Sequence, residues 1–248
     1  MSKDTDNTVL RSMVLCAGLG TRMQPLTLTT PKPLINVAGK PLLEYGTRNL
    51  EKAGIETIII NVHYLAEQVE DWAHNYHGAE ILLSDEKNQL LETGGGVCHA
   101  KAMLGNDPLF VLNSDSFWLD RPEKSSLKAM MAFFDKNKCD FLLLLTTHDN
   151  AIGFDGPGDF FCGDDAKISR RGEATKAPFI YAGCYLFNPA VLHDCPSGKF
   201  SMNVLWDRAI KQNRVMGFVH DGLWLHVGTP QAIAQTEKAI KNFDHDPL

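Results

Sequence analysis

One stretch constrains this chain more than any other: residues 15–34, LCAGLGTRMQPLTLTTPKPL, which continue from an apolar strand at residues 13–16. Gly18 and Gly20 lack a Cβ, so the backbone can turn sharply there and lie close against a ligand. Their peptide N–H groups can then line a concavity that suits phosphate oxygens. Arg22 adds a planar fork of donors and Lys32 a point charge, the two usual ways to hold a polyphosphate. The spacing is not the dinucleotide fingerprint, because Met23 replaces the third glycine, and no Gly-Lys-Ser/Thr follows to make a P-loop. Turn chemistry alone also accounts for two glycines after a strand. The rest of the string decides between these readings.

The 248 residues suffice for one large α/β domain with a full core. Residues 1–10 read as a frayed tail and 11–248 as a single domain, since no repeat, low-complexity tract or linker interrupts them. A net charge of −6 leaves no basic field for nucleic acid, and no apolar run approaches the ~20 residues that span a bilayer. The opening MSKDTDNTVLRS lacks the apolar core of a secretory signal. Six cysteines (Cys16, Cys98, Cys139, Cys162, Cys184, Cys195) form no C-x-x-C pair and mostly sit in apolar strand-like runs. Free thiols in a reduced cytosol, with no disulfide framework, are therefore expected, and the protein is read as cytoplasmic. Oligomeric state is left open.

Hydrophobic periodicity supplies the architecture. Pro41 opens a helical pattern that Gly54 stops, and TIIINV at 57–62 is a β-branched run suited to a buried parallel strand. Helical spacing returns at 65–76, a short strand at 80–83, a helix at 96–104 and a strand at 109–112. That repeated β-α order predicts a mostly parallel sheet covered by helices. Beyond it come a helix at 127–137, a strand at 141–147 and a hairpin from 159–162 to 167–170. Strands at 179–187, 215–219 and 224–227 and helices at 202–212 and from Thr229-Pro230 complete the pattern.

Asp115 follows the strand at 109–112 and would project from the same carboxyl edge of the sheet as the Gly18 loop. A carboxylate beside a triphosphate is a natural ligand for Mg²⁺, although capping the next element would also account for it. Glu92-Thr93-Gly94-Gly95-Gly96 is a second glycine cluster, read as a connection whose backbone can lie against a flat base. Glycine-rich positions in the second half, Gly158 and Gly183, leave room for a ligand ring. There Asp159 would accept from hydroxyls, and Arg170 or Arg171 would neutralise a phosphate, unless the segment is simply a solvated hairpin.

The string Gly18-x-Gly20-Thr21-Arg22-Met23-x-Pro25-Leu26-Thr27, followed by Pro31-Lys32-Pro33, closely resembles the signature of the sugar-1-phosphate nucleotidyltransferases. The resemblance runs from about residue 12 to 240. It implies a single-domain, Rossmann-like nucleotidyltransferase fold and the reaction of an NTP with a sugar 1-phosphate to give an NDP-sugar and pyrophosphate. Arg22, Lys32 and Asp115 would be catalytic, with Ala17, Gly18, Gly20, Thr21, Glu92, Gly94, Gly95 and Asn113 at the nucleotide and Gly158, Asp159, Arg171 and Gly183 at the sugar. Leu91-Glu92-Thr93-Gly94-Gly95-Gly96 is most similar to the N-acetylmuramate-1-phosphate uridylyltransferase branch, with mannose-1-phosphate guanylyltransferases and glucose-1-phosphate thymidylyl- or uridylyltransferases as alternatives. Trp224-Leu225-His226-Val227-Gly228-Thr229-Pro230 resembles the family's second metal motif with His226 in place of an aspartate. Asp115 and His226 would then hold Mg²⁺, with Mn²⁺ admitted by the imidazole. The same departure motivates a rival reading, a nucleotide-sugar-binding regulatory subunit without chemistry. No hexapeptide repeat occurs, so no C-terminal β-helix is expected.

Overall fold

The computed structural model describes residues 9–243. Its strands are β1 Arg11–Leu15, β2 Asn36–Val37, β3 Lys40–Pro41, β4 Thr57–Val62, β5 Glu80–Asp85, β6 Leu109–Asn113 and β7 Ser116–Leu119. They continue with β8 Phe141–Thr147, β9 Ala151–Ile152, β10 Phe160–Cys162, β11 Ile168–Arg170, β12 Phe179–Phe187, β13 Val215–Val219 and β14 Leu223–His226. The helices are α1 Leu42–Ala53, α2 Ala66–His74, α3 Glu92–His99, α4 Lys101–Leu104, α5 Ser126–Phe133, α6 Asn203–Lys211 and α7 Pro230–Asn242.

The main sheet runs β13-β8-β12-β6-β1-β4-β5, with the β10–β11 hairpin added at Phe179 on the first residue of β12. Along that path β12 alone runs against its neighbours. Alternation along each strand divides the core in two. Ile58, Ile60, Phe110, Leu112, Leu142 and Leu144 face α1, α2 and α5. Ile59, Leu109, Val111, Leu143 and Tyr185 face α3, α4 and α6. Because both faces are covered, the central strands read as continuous apolar runs, the expected pattern for parallel strands under helices. The mixed, mostly parallel sheet expected from the β-α order is therefore present.

Local signals act as read at several points. Gly54 caps α1 at φ 98, its N–H reaching back to Leu50 and Glu51. Pro230 opens α7, although the Thr229 side chain makes no capping bond. Other expectations need correction. Val9, placed in the tail, is buried in the core, while residues 1–8 lie outside the described residues. The helix expected from 96 begins at Glu92, so Gly94, Gly95 and Gly96 are helical and buried. Cys98 and Cys195 are disulfide-bonded, with Cα atoms 6.8 Å apart across 97 residues of sequence, a pairing that no local spacing announces. A second, three-stranded sheet, β7-β14-β9, is present; of its strands only β14 is expected from the sequence, at 224–227, because β7 and β9 are short. It packs Phe117, Leu119 and Leu225 against Met23 and Tyr45, the Tyr45 and Phe117 rings stacking at 4.0 Å. Among the described residues no helix is long and apolar enough to cross a membrane.

Candidate active site

β1 leads through α1 to β4 on one flank, while β6 lies on the other flank, so the chain reverses direction of winding at β1. Open α/β sheets bind ligands in the crevice at such a point, off the carboxyl ends of the strands. A cleft of about 280 Å³ occupies that place, walled by Leu15, Cys16, Ala17 and Gly18 after β1, by Asn113, Ser114 and Asp115 after β6, and by Lys32, Asn61, Glu92 and Thr93. A second cleft of about 260 Å³ shares Leu15, Thr93 and Asn113 with the first. It extends over β10–β12 and α6, past Asp159, Arg170, Tyr181, Tyr185, Asn203 and Trp206. Two adjoining clefts with a common wall suit two substrates that must meet.

The loop after β1 is built around Gly20. Its φ of +62 favours glycine, and a Cβ there would lie 2.8 Å from Thr27 Cγ2 and 3.1 Å from Lys32 Cβ. Thr27 donates its hydroxyl proton to the Gly20 carbonyl at 2.8 Å, and Met23 plugs the core beneath. Arg22 stays exposed on the intervening turn, whereas Lys32 is largely buried and brought to the cleft. Lys32 Nζ donates to Asp115 Oδ2 at 2.9 Å. Burial pushes the Asp115 carboxyl upward, but the Lys32 ammonium that bonds it and the Arg22 guanidinium help hold the group below its ordinary value. Asp115 therefore stays anionic beside a cation.

The small sheet explains how His226 arrives from the far end of the chain. β7 starts directly after Asp115, β14 pairs antiparallel to it with His226 opposite Ser116, and Val227 N–H donates to the Asp115 carbonyl. His226 Nδ1 lies 3.2 Å from the Gly153 carbonyl oxygen. A carbonyl only accepts, so Nδ1 is the donor in that bond, and Nε2 faces Asp115 Oδ2 at 4.0 Å. Metal-binding histidines are usually oriented by such a bond from the far ring nitrogen. Among the described residues no cluster of three His, Cys, Asp or Glu side chains forms a complete cage. Asp115 and His226 together offer one carboxylate and one imidazole, fewer donors than a cage built from protein alone.

Comparison with known proteins agrees with this geometry. The family model described as "Nucleotidyl transferase" matches residues 11–242. This chain belongs to that family. It is 42% identical over 233 residues to N-acetylmuramate alpha-1-phosphate uridylyltransferase from Caulobacter vibrioides, covering 92% of this chain and 96% of the relative. A protein of the same name from Neisseria meningitidis is 32% identical, covering 89% and 94% of the two chains. A UDP-glucose pyrophosphorylase solved with UDP-glucose shares the fold at a TM-score of 0.77, with 17% identity over 94% of this chain and 98% of that one. The chain is thus a nucleotidyl transferase of the sugar-phosphate type.

Not every residue singled out in the sequence reaches the clefts of this nucleotidyl transferase. Ala17, Gly18, Lys32, Glu92, Asn113 and Asp115 line the first, and Asp159 and Asn113 the second. Gly20 and Thr21 shape the loop outside the walls. Gly94 and Gly95 offer the cleft no donors, since both N–H groups go to the Phe200 carbonyl at 3.0 Å. A Cβ on Gly94 would meet the Phe200 ring at 2.4 Å, and one on Gly95 the Gly198 carbonyl oxygen at 2.4 Å. Gly158 and Gly183 leave no ring space either: their Cβ positions would meet the Ala177 carbonyl oxygen and Ser116 Oγ, each at 2.2 Å. Arg171 is spent on the hairpin, donating to the carbonyls of Gly158 and Ala174. Its neighbour Arg170 lines the cleft instead.

Residues that the sequence did not single out complete the walls. Asn61 accepts the Cys16 N–H at 2.7 Å and donates to Glu86 Oε1 at 2.8 Å, fixing the start of the loop from behind. Glu86 is 3% exposed, and burial raises its carboxyl above the ordinary range. Thr93 holds the Met202 N–H and lines both clefts. The only signal for Asn61 and Glu86 was a polar residue at the end of an apolar strand.

Proposed function

We propose that this chain transfers a uridylyl group from UTP to N-acetylmuramate 1-phosphate, releasing pyrophosphate and UDP-N-acetylmuramate. The observation that carries the reading is the pair of clefts sharing Leu15, Thr93 and Asn113, with Lys32 and Asp115 on one of them. The choice of substrates is supported by the 42% identity to the Caulobacter vibrioides uridylyltransferase over nearly the full length of both chains. An oxygen of the sugar phosphate attacks the α-phosphorus of UTP in line. The bond from that phosphorus to the oxygen bridging to the β-phosphorus breaks, and its electron pair leaves on pyrophosphate. Such a displacement asks the protein for positioning and neutralisation of charge, and needs no covalent intermediate.

Arg22, exposed on the loop, neutralises the β- and γ-phosphates as they leave. Lys32 moves from Asp115 to the α-phosphate as the triphosphate enters, a short reach because the residue already lines that cleft. Ala17 and Gly18 bring backbone to the phosphates, and Asn113 and Glu92 meet the nucleoside. Asp159 meets the sugar. Asp115 and His226 hold a divalent ion, Mg²⁺ or, given the imidazole, Mn²⁺. When bound, that ion neutralises phosphate charge. The partners are the two small substrates, in the cytoplasm. Pyrophosphate release, measured for four NTPs against a panel of sugar 1-phosphates, tests the reading. UTP with N-acetylmuramate 1-phosphate should give the highest kcat/KM. A different dominant pair would reassign the substrates, and no turnover with any pair would favour a non-catalytic nucleotide-sugar-binding subunit.

A further inference from the structure

The second cleft ends in an assembly of hydrogen-bond donors that the transfer reaction itself does not use. Trp206 and Tyr185 are 5% and 1% exposed, and Trp206 Nε1 and the Tyr181 and Tyr185 hydroxyls are buried without a hydrogen-bond partner. The Trp206 ring meets Tyr181 edge-on at 4.9 Å and Tyr185 at 5.4 Å, so the three form one wall. Arg170 lies over it, its guanidinium carbon 5.8 Å from the Trp206 ring centroid and 4.9 Å from that of Phe160. Its side edge is anchored: Nε donates to Asp207 Oδ1 and Nη2 to Asn203 Oδ1, each at 2.8 Å. A guanidinium has five N–H donors, so this anchorage leaves the Nη1–Nη2 end, whose two parallel donors match the two oxygens of a carboxylate. An orientation fixed before binding lowers the entropy lost on binding.

A guanidinium and an indole N–H only donate and the tyrosine hydroxyls can also donate, so this wall suits a group rich in acceptor oxygens. The acceptor's phosphate does not belong there, because it must reach the cleft that Lys32 and Asp115 line, and neither Arg170 nor Trp206 borders that cleft. We infer that Arg170 binds the lactyl carboxylate of N-acetylmuramate 1-phosphate end-on, beside the donor wall of Trp206, and so selects this acceptor over N-acetylglucosamine 1-phosphate, which has the same ring and N-acetyl group but no carboxylate. The inference rests on the proposed function and deepens it. It also separates the two adjacent arginines, since Arg171 is committed to the backbone of the hairpin turn.

The test compares kcat/KM for the two acceptors, with UTP fixed, in the wild-type chain, Arg170→Gln and Arg170→Lys. The quantity read is the selectivity ratio, which a general loss of folding would not move. Loss of a charge-assisted bidentate contact should lower the ratio in Arg170→Gln by about 10- to 100-fold, chiefly through KM for the muramate acceptor. Arg170→Lys keeps the charge without the planar fork and should fall between. If both acceptors lose equally, or if the ratio stays at its wild-type value, Arg170 does not read the carboxylate and the inference is overturned. A wild-type chain that rejects N-acetylmuramate 1-phosphate overturns the proposed function and this inference with it. One that accepts it, with an unmoved ratio in the variants, overturns the inference alone.

Discussion

Replacing Gly20 by alanine should damage stability and catalysis together, because one backbone position holds both the loop turn and Lys32. At φ +62 an alanine costs roughly 1–2 kcal/mol more than in a right-handed conformation, of which ~0.4–1 kcal/mol is recovered because it stiffens the unfolded chain. Its Cβ would also lie 2.8 Å from Thr27 Cγ2 and 3.1 Å from Lys32 Cβ. Thr27 is 1% exposed and tied by its hydroxyl to the Gly20 carbonyl, so it has little freedom to yield. Forcing a methyl into such packing costs about 1–3 kcal/mol. The net loss is therefore on the order of 2 kcal/mol, which lowers Tm by roughly 4–8 °C in a chain of this size. Whatever relief the overlap finds must shift Thr27 or Lys32, so kcat/KM should also fall. Gly18→Ala is the control: nothing lies within 4 Å of its Cβ, and its stability should stay within ~0.5 kcal/mol of wild type. Urea unfolding and pyrophosphate release on the three proteins decide the matter. A Gly20→Ala chain as stable and active as wild type would refute the coupling.

Lys32→Ala removes the cation that meets phosphate and should cost about 2–4 kcal/mol of transition-state stabilisation, or roughly 30- to 1,000-fold in kcat; turnover at the wild-type rate would remove Lys32 from the mechanism. Asp115→Asn keeps the volume but loses the charge, so activity should fall by about 100-fold or more and half-saturation should move to higher metal concentration; an unchanged metal titration would place the ion elsewhere. His226→Asp should shift the activity ratio towards Mg²⁺ over Mn²⁺, as harder oxygen replaces imidazole, and a ratio equal to wild type would sink the ligand role. Glu86 supplies a pH signature. Burial raises its folded pKa above the unfolded value, so the native chain holds the extra proton between the two, and stability falls as pH rises from about 4.5 through the raised pKa. Glu86→Gln cannot ionise and should flatten that slope, which thermal unfolding across the window would show; parallel slopes would contradict it.

The parts of the fold legible in the sequence are those where local and tertiary preferences agree. Ile58, Ile59 and Ile60 are β-branched and covered on both faces, so a buried strand was the only consistent reading. Gly54 is read correctly because a helix end needs φ > 0 whatever packs nearby. Where glycine meets packing, the sequence is ambiguous. Gly94 and Gly95 are poor helix formers and so read as a connection before the helix at 96, yet α3 needs them and Gly96 to approach Phe200, Gly198 and Glu86. Gly158 and Gly183 carry the same signature as glycines that make room for a ligand, but the space they leave is taken by Ala177 and Ser116. In the candidate site, Lys32 and Asp115 were legible from motif and strand end. Arg171 is the one expected at the sugar, but it is Arg170 that lines the cleft, since only the direction of each along β11 and its turn decides which one enters.

The histidine in place of the expected aspartate is the sharpest departure, and its ring is closely packed and hydrogen-bonded where it stands. The His226 ring stacks on Trp224 at 5.8 Å and 7° and meets Phe154 edge-on at 6.3 Å. Gly153 and Gly228 close in on it: a Cβ on the first would lie 2.3 Å from the His226 carbonyl oxygen, and on the second 2.6 Å from ring Cε1. The Gly153 carbonyl needs a donor, which Nδ1–H supplies at 3.2 Å and a carboxylate would not. The Gly153 contact is with backbone and would hold for any residue at 226, whereas the bare Gly228 and the Gly153 carbonyl together fit the ring itself. That arrangement keeps Nε2 facing Asp115. Under the proposed function, that is where a metal ligand would stand.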